Sequence, residues 1–237
     1  MRPKRNTAFL LKTLLLFLPL LPAAVHAQTS QFLPEVDVLY RANNSLRVDF
    51  QVKDTREGGD PAQVEIGPSL NLFAEPLVSL ENIPIFDPEK SKSRLLQGFV
   101  GYRHVVSQNK SDVERIPLGF VVNLPVPGKI LLADRNRADL DWSSGPFVWR
   151  YRNRLKLQRA VSLGGYKPAP YASAEVFYQS QFAKWSNTAI HAGCLFPIKQ
   201  RLALDAYYEH QNQTGNTPNK QLNQLGLILN IYLGQNR

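Results

Sequence analysis

The 237-residue chain carries 28 Lys+Arg against 19 Asp+Glu, a formal charge of +9, and one cysteine. A single cysteine excludes an internal disulfide framework and a multi-cysteine zinc site. Hydrophobic residues at 43%, with 12 Phe, 9 Tyr and 3 Trp, exclude a disordered chain, and the length suits one domain.

Residues 1–27 read as a secretory signal peptide. Arg2, Lys4 and Arg5 supply a positive start, Leu14 to Leu21 an apolar run, and Val25 and Ala27 the small residues before a cleavage point ahead of Gln28. The apolar run is far shorter than the roughly 20 residues of a membrane helix, and no cysteine follows the cleavage point to take a lipid. The signal holds four basic and no acidic residues, so the charge falls from +9 to +5 over residues 28–237, which form a single domain. So modest a charge on an exported chain does not call for a nucleic-acid partner.

Thereafter nearly every segment alternates with period two, the mark of a strand with one apolar face. After a segment at 35–42 and the turn-former Asn43-Asn44-Ser45, residues Leu46, Val48, Phe50 and Val52 alternate with Arg47, Asp49, Gln51 and Lys53. Beyond Gly58-Gly59-Asp60-Pro61, Val64, Ile66, Leu70 and Leu72 share a face. Residues 76–92 are long for a turn, and Leu77-Val78-Ser79-Leu80 suggests a short strand inside them. Similar segments follow at 93–106, at Ile116 to Leu124, and at 129–142, 146–160, 170–182, 185–196 and 201–212. The last runs Leu225, Leu227, Leu229, Ile231 and Leu233 against Gln224, Gly226 and Asn230. No stretch shows a helical period. The class is all-β, an antiparallel up-and-down barrel. Twelve strands satisfy the even-number habit of single-chain bacterial barrels, and ten result if 35–42 is unpaired. Pro68 and Pro117 inside strands predict kinks or bulges.

The polar rows decide which way the barrel faces. Arg150, Arg152, Arg154 and Lys156 share one side of a strand. The preceding strand puts Arg135, Arg137, Asp139 and Asp141 on one face, and the following ones carry Glu175, then Asp205 and Glu209. Each Arg turned to lipid near the midplane costs about 2–4 kcal/mol, so three on one strand cost about 6–12 kcal/mol. That rivals a whole domain's stability of about 5–15 kcal/mol. In a membrane barrel the apolar rows therefore face lipid, and the charged rows face a lumen where arginine and carboxylate pair. A soluble barrel of the lipocalin kind would reverse the faces. Strand length favours the membrane, as do aromatic residues near strand ends (Tyr40, Tyr102, Trp142, Trp149, Trp185, Tyr208, Tyr232), placed as interface girdles require. The final strand, Gln224 to Tyr232, resembles the C-terminal signal read by the barrel-assembly machinery. It departs from that signal in having aliphatic Leu229 and Ile231 and four residues beyond Leu233. The expected location is the outer membrane, with membrane lipid and the assembly machinery as partners.

Several stretches resemble bacterial domain-of-unknown-function family 2490, whose members are predicted outer-membrane barrels. They are Lys53 to Pro61, Trp149 to Leu155, Ala174 to Tyr178 and Tyr208 to Asn212; the arginine-rich strand followed by a strand with a central Glu is the most specific. The resemblance implies an outer-membrane barrel and no activity, so it supplies no catalytic residues.

The residues themselves supply none either. His210 has Asn212 where a strand-borne lipase would need a nucleophile, and reads as a rim histidine. His191 and Cys194, three apart on a strand, point to opposite faces and cannot share a metal. No cofactor is expected. The carboxylates Asp139, Asp141, Glu175, Asp205 and Glu209 lie among arginines that suit structural pairing rather than proton transfer. Ten basic and seven acidic residues fall on the inward rows, so an open lumen would favour anions. A barrel this small can instead be filled by its own side chains. The expected protein is a structural or narrow-pore barrel, with an envelope enzyme acting on lipid and a soluble binder as alternatives.

Overall fold

The computed structural model describes residues 29–74, 85–88, 92, 94–108, 110–215 and 220–234. The signal at 1–27 and the short strand expected at Leu77 to Leu80 lie outside them. The strands are β1 (Thr29–Arg41), β2 (Leu46–Glu57), β3 (Asp60–Phe73), β4 (Leu96–Gly101), β5 (Arg103–Ser107), β6 (Val113–Val126), β7 (Ile130–Trp142), β8 (Val148–Arg159), β9 (Ala169–Gln179), β10 (Lys184–Lys199), β11 (Leu202–Gln213) and β12 (Lys220–Gly234). One 3-10 turn, Ser180–Phe182, joins β9 to β10.

Neighbours in sequence pair antiparallel, and the sheet closes on itself where β1 meets β12. Two features differ from the sequence-based expectation. The closing pair is parallel, Thr29 opposite Leu222 through Arg41 opposite Gly234. And the twelve strands fill only eleven positions around the barrel, because β4 and β5 share one position between β3 and β6. The two facts are one: in a meander of odd number the first and last strands run the same way, so their seam can only be parallel.

The β4–β5 break falls at Tyr102, and its cause is legible. On one side it faces Gly67 and Pro68, on the other Pro117. A proline offers no ladder donor, so the middle stretch keeps the Tyr102 N–H bond to the Pro68 carbonyl (2.9 Å) but receives no N–H from either proline. A Cβ on Gly67 would lie 2.2 Å from the Tyr102 carbonyl oxygen, so only glycine allows this approach. The Arg103 guanidinium stitches the break. Its Nη1 donates to the carbonyls of Pro68 (2.7 Å) and Tyr102 (2.8 Å), its Nη2 to Ser69 Oγ and its Nε to Gln51 Oε1 (both 2.8 Å). At the β2–β3 hairpin, Gly58 and Gly59 take φ of +62° and +98°, which a two-residue turn of this hand demands.

The wall is apolar outside and polar inside. Val48, Phe50, Leu70, Phe120, Leu155, Leu157, Ile190 and Leu225 are exposed on the outer surface, while Glu35, Asp139, Glu175, His191 and Glu209 are buried within. The lipocalin arrangement is therefore not the one adopted. Of the expected girdle aromatics, Tyr40, Tyr102, Trp142, Trp149, Trp185 and Tyr208 are exposed on the outside. Tyr232 is the exception: its parity on β12 turns it inward, and it packs edge-on against Phe86 at 5.7 Å between ring centres.

The two barrel ends differ. Residues 85–88, between β3 and β4, pack inside one of them. There Ile85 packs with Leu131, Ala169, Leu195 and Ala203 in the main apolar cluster, flanked by Phe86, Ala160 and Tyr232. Lys92 donates from Nζ to the Phe86 carbonyl at 2.9 Å and from its backbone N–H to Asp87 Oδ2 at 2.5 Å, which pins the inserted segment. Burial pulls the Lys92 pKa below its ordinary value, with Asp87 opposing. The other end, ringed by the β2–β3, β7–β8 and β9–β10 turns, is open.

Candidate functional site in the barrel lumen

The inward rows of β7, β8 and β9 build an ion-pair belt across the lumen. Register sets Arg137 opposite Arg152, Asp139 opposite Arg150, and Arg154 opposite Glu175. Arg135 also faces Arg154, so like charges meet across two pairs and opposite charges across two, and two carboxylates become hubs. Asp139 accepts from Arg150 Nη2 at 2.9 Å and from Arg137 Nε. Glu175 accepts from Arg152 Nε and Arg154 Nε, both at 2.8 Å, and from Arg135 Nη2 at 3.3 Å. Both carboxylates have no solvent-exposed side-chain surface. Arg152 reaches towards both hubs, lying 3.9 Å from Asp139 through Nη1. Charge-assisted bonds of this kind are the stronger class, and in the lumen they hold three arginines of one strand face together.

The remaining expected members are placed elsewhere. Asp141 pairs with Arg115 of β6 in a two-pronged contact at 2.7 and 2.9 Å, and Arg115 also meets Glu65 at 3.0 Å. Asp205 leaves the belt: it accepts from the Tyr171 hydroxyl at 2.9 Å, and the Lys156 ammonium lies 5.0 Å from the centre of that tyrosine ring. Glu209 meets His191, whose Nδ1 lies 3.2 Å from its Oε2 and whose Nε2 lies 3.4 Å from Glu175 Oε2. His191 thus links two carboxylates within the lumen. Sequence reading missed that role, since it depends on the β10–β11 register that sets His191 against Glu209. Cys194 faces outward from the same strand, and His210 lies on the outer face near the open rim, bonded to Asn223.

Glu35 and Asp37 of β1 were also missed as lumen groups. They raise the inward acidic count from seven to nine against ten basic residues. The lumen is thus nearly neutral, and its one-sided rows are β1, with Glu35 and Asp37, and β8, with Arg150, Arg152, Arg154 and Lys156. On β2, Asp49 accepts from Arg47 (2.9 Å) and from Asn71 of β3 (2.7 Å).

A cavity of about 580 Å³ fills the open half. Its wall includes Lys53, Arg115, Arg137, Arg150, Arg152 and Arg154, with Glu65 and Glu209 as its acidic members, and many glutamine amides, among them Gln51, Gln63, Gln211 and Gln224. A second cavity, of about 240 Å³, lies at the inserted segment beside Asp87, Lys92 and Lys156. Arg154 lines both, so the belt forms the floor between them. The terminal nitrogens of Arg137 have no protein acceptor among the described residues and border the larger cavity, which leaves guanidinium donors for an anion. For chemistry the site offers little. Ser173 sits opposite His191 in register, yet its Oγ makes no hydrogen bond and it is 6% exposed. Among the described residues no group of three or more His, Cys, Asp or Glu could hold a metal.

Fold and site together define a closed β-barrel turned inside out, with apolar walls around an ion-paired core. The chain matches, over residues 43–223, the family described as a protein of unknown function (DUF2490), and it belongs to that family. No curated protein matches it.

Proposed function

We propose that this protein is a non-enzymatic β-barrel of the outer membrane whose vestibule, open at one end, binds anions. The observation that carries the reading is the inverted wall. More than thirty large apolar side chains are exposed on the outside or at the loop rims, while carboxylates and guanidiniums are buried inside. In water such a surface far exceeds the apolar patches that soluble monomers tolerate; in a bilayer it is the expected band between aromatic girdles. Trp149, Tyr178 and Trp185 form one stretch of such a girdle, with ring centres 5.3 and 5.8 Å apart. The inserted residues at the far end support a basin over a through-pore, and the Arg137 terminal nitrogens, bordering the cavity without a protein acceptor among the described residues, support an anion in it. Membrane delivery rests on the signal-like residues 1–27, and assembly on Gln224 to Tyr232, offered to the barrel-assembly machinery.

The test is fractionation of cells expressing the full chain, followed by gel migration with and without boiling. Recovery in outer membranes with a heat-dependent shift supports the reading; recovery in the soluble periplasm with no shift sinks it. For the vestibule, titration of the refolded barrel with a fluorescent polycarboxylate should give saturable binding that Arg137→Gln weakens. Binding unchanged in that variant removes the anion from the proposal.

A further inference from the structure

Away from the rims, one polar island interrupts the apolar outer wall among the described residues, midway up β7 and β8. Asp134, Asn136 and Asn153 face outward there with Tyr151, and Asn136 and Asn153 are directly opposite each other. They bond one another: Asn153 Nδ2 donates to Asp134 Oδ1 at 2.6 Å, Asn136 Nδ2 to Asp134 Oδ2 at 3.3 Å, and the Tyr151 hydroxyl to Asn136 Oδ1. Apolar residues surround them. Phe120 pairs with Asn136 from β6, Val176 with Asn153 from β9, and Leu155 with Asp134, while Leu132 and Leu157 lie below. The Asp134 carboxylate has no cation within ion-pair distance among the described residues. This is not a rim position: Asn136 lies at the centre of β7, six residues from either end.

Resting on the membrane reading, we infer that this island is the seam at which two copies of the chain associate side by side. A carboxylate turned to hydrocarbon is strongly disfavoured unless something polar covers it. The island is self-complementary: it holds an acceptor-only carboxylate, and Asn136 keeps one N–H unspent, whereas Asn153 Nδ2 spends its two on Asp134 and on Asn136 Oδ1 (3.2 Å). A two-fold axis would bring the Asp134 of each copy to the Asn136 carboxamide of the other, as an isologous contact requires. The neighbouring outer wall permits close approach. Ala138 flanks the island on β7, and Ala172 and Ala174 on β9 continue into Ala192 on β10. Small residues beside polar ones are how membrane segments approach and hold each other without a hydrophobic drive.

The test uses the full chain with Cys194→Ser, refolded into phosphatidylcholine vesicles and treated with a short bis-maleimide. A Leu155→Cys reporter beside the island should cross-link into dimers, and a Val48→Cys reporter on the opposite wall should not. Adding Asp134→Leu and Asn136→Leu to the Leu155→Cys chain should abolish cross-linking while vesicle flotation and heat-dependent migration stay intact. Equal cross-linking from both reporters, none from either, or cross-linking that survives the double substitution overturns the seam with the barrel still inserted. Failure to float with vesicles overturns the membrane reading first and the seam with it.

Discussion

At the scale of single residues, Glu175 is the side chain on which most converges, since three arginines and a histidine meet it. Glu175→Gln keeps the size and removes the charge, leaving Arg152 and Arg154 underpaired. Losing one partner of a buried pair costs about 3–5 kcal/mol, so the midpoint of urea unfolding in lipid should fall markedly; an unchanged midpoint would show that solvent in the vestibule replaces the carboxylate. Arg103→Met tests a different physics. It strands the Tyr102 carbonyl at the strand break, at about 1–3 kcal/mol for an unsatisfied buried group, while the Pro68 carbonyl keeps the Tyr102 N–H, and local hydrogen exchange at β4 and β5 should rise while that of β9–β11 does not. Sequence alternation reveals that Arg150, Arg152 and Arg154 share a face and that carboxylates must interleave with them. It leaves open whether Asp139 or Asp141 does so, because that turns on a two-residue shift in the β7–β8 register. His191 was invisible for the same reason: its neighbours come from other strands.

At the scale of elements, β12 exposes the two faces most cleanly. Leu229 points outward and Gln224 inward to the vestibule. Leu229→Arg places a charge near mid-wall at about 2–4 kcal/mol in lipid and should block refolding into vesicles. Gln224→Arg, close to Glu209 across the β11–β12 pair, should refold normally. Equal behaviour of the two would show that the assigned faces are wrong. The strands were legible because an alternating row is a local property. Their ends were less so: the segment expected at 35–42 begins at Thr29, since Gln31, Leu33 and Glu35 alternate too weakly in polarity to announce a strand. The break at Tyr102 was half legible. Pro68 and Pro117 predict trouble in their own strands, but it surfaces in the strand between them.

At the scale of the whole molecule, the inserted residues 85–88 decide whether the proposed vestibule is a basin or a tunnel. Their apolar contacts, Ile85 on Leu131 and Leu195 and Phe86 on Tyr232, hold them in the lumen. Replacing Ile85 and Phe86 together by glycine should release them, and single-channel conductance in planar bilayers should rise from near the baseline to resolvable steps. Steps of the same size in the parent chain would mean that the segment does not obstruct passage. Sequence offered no guide here. A loop has no period, and whether it folds outward or inward depends on room inside a barrel whose size follows from the strand count.

The parallel seam between β1 and β12 has a consequence for sidedness. In a barrel with an even count, both extremities of the domain emerge at one rim. Here Thr29 leaves from the vestibule rim and Gly234 from the opposite one, where the inserted segment lies. Once embedded, the protein connects the two compartments by covalent chain as well as by its wall. A peptide epitope ahead of Thr29 and another after Gly234 should be shaved by protease from opposite faces of an intact cell envelope, one without permeabilisation and the other only after it.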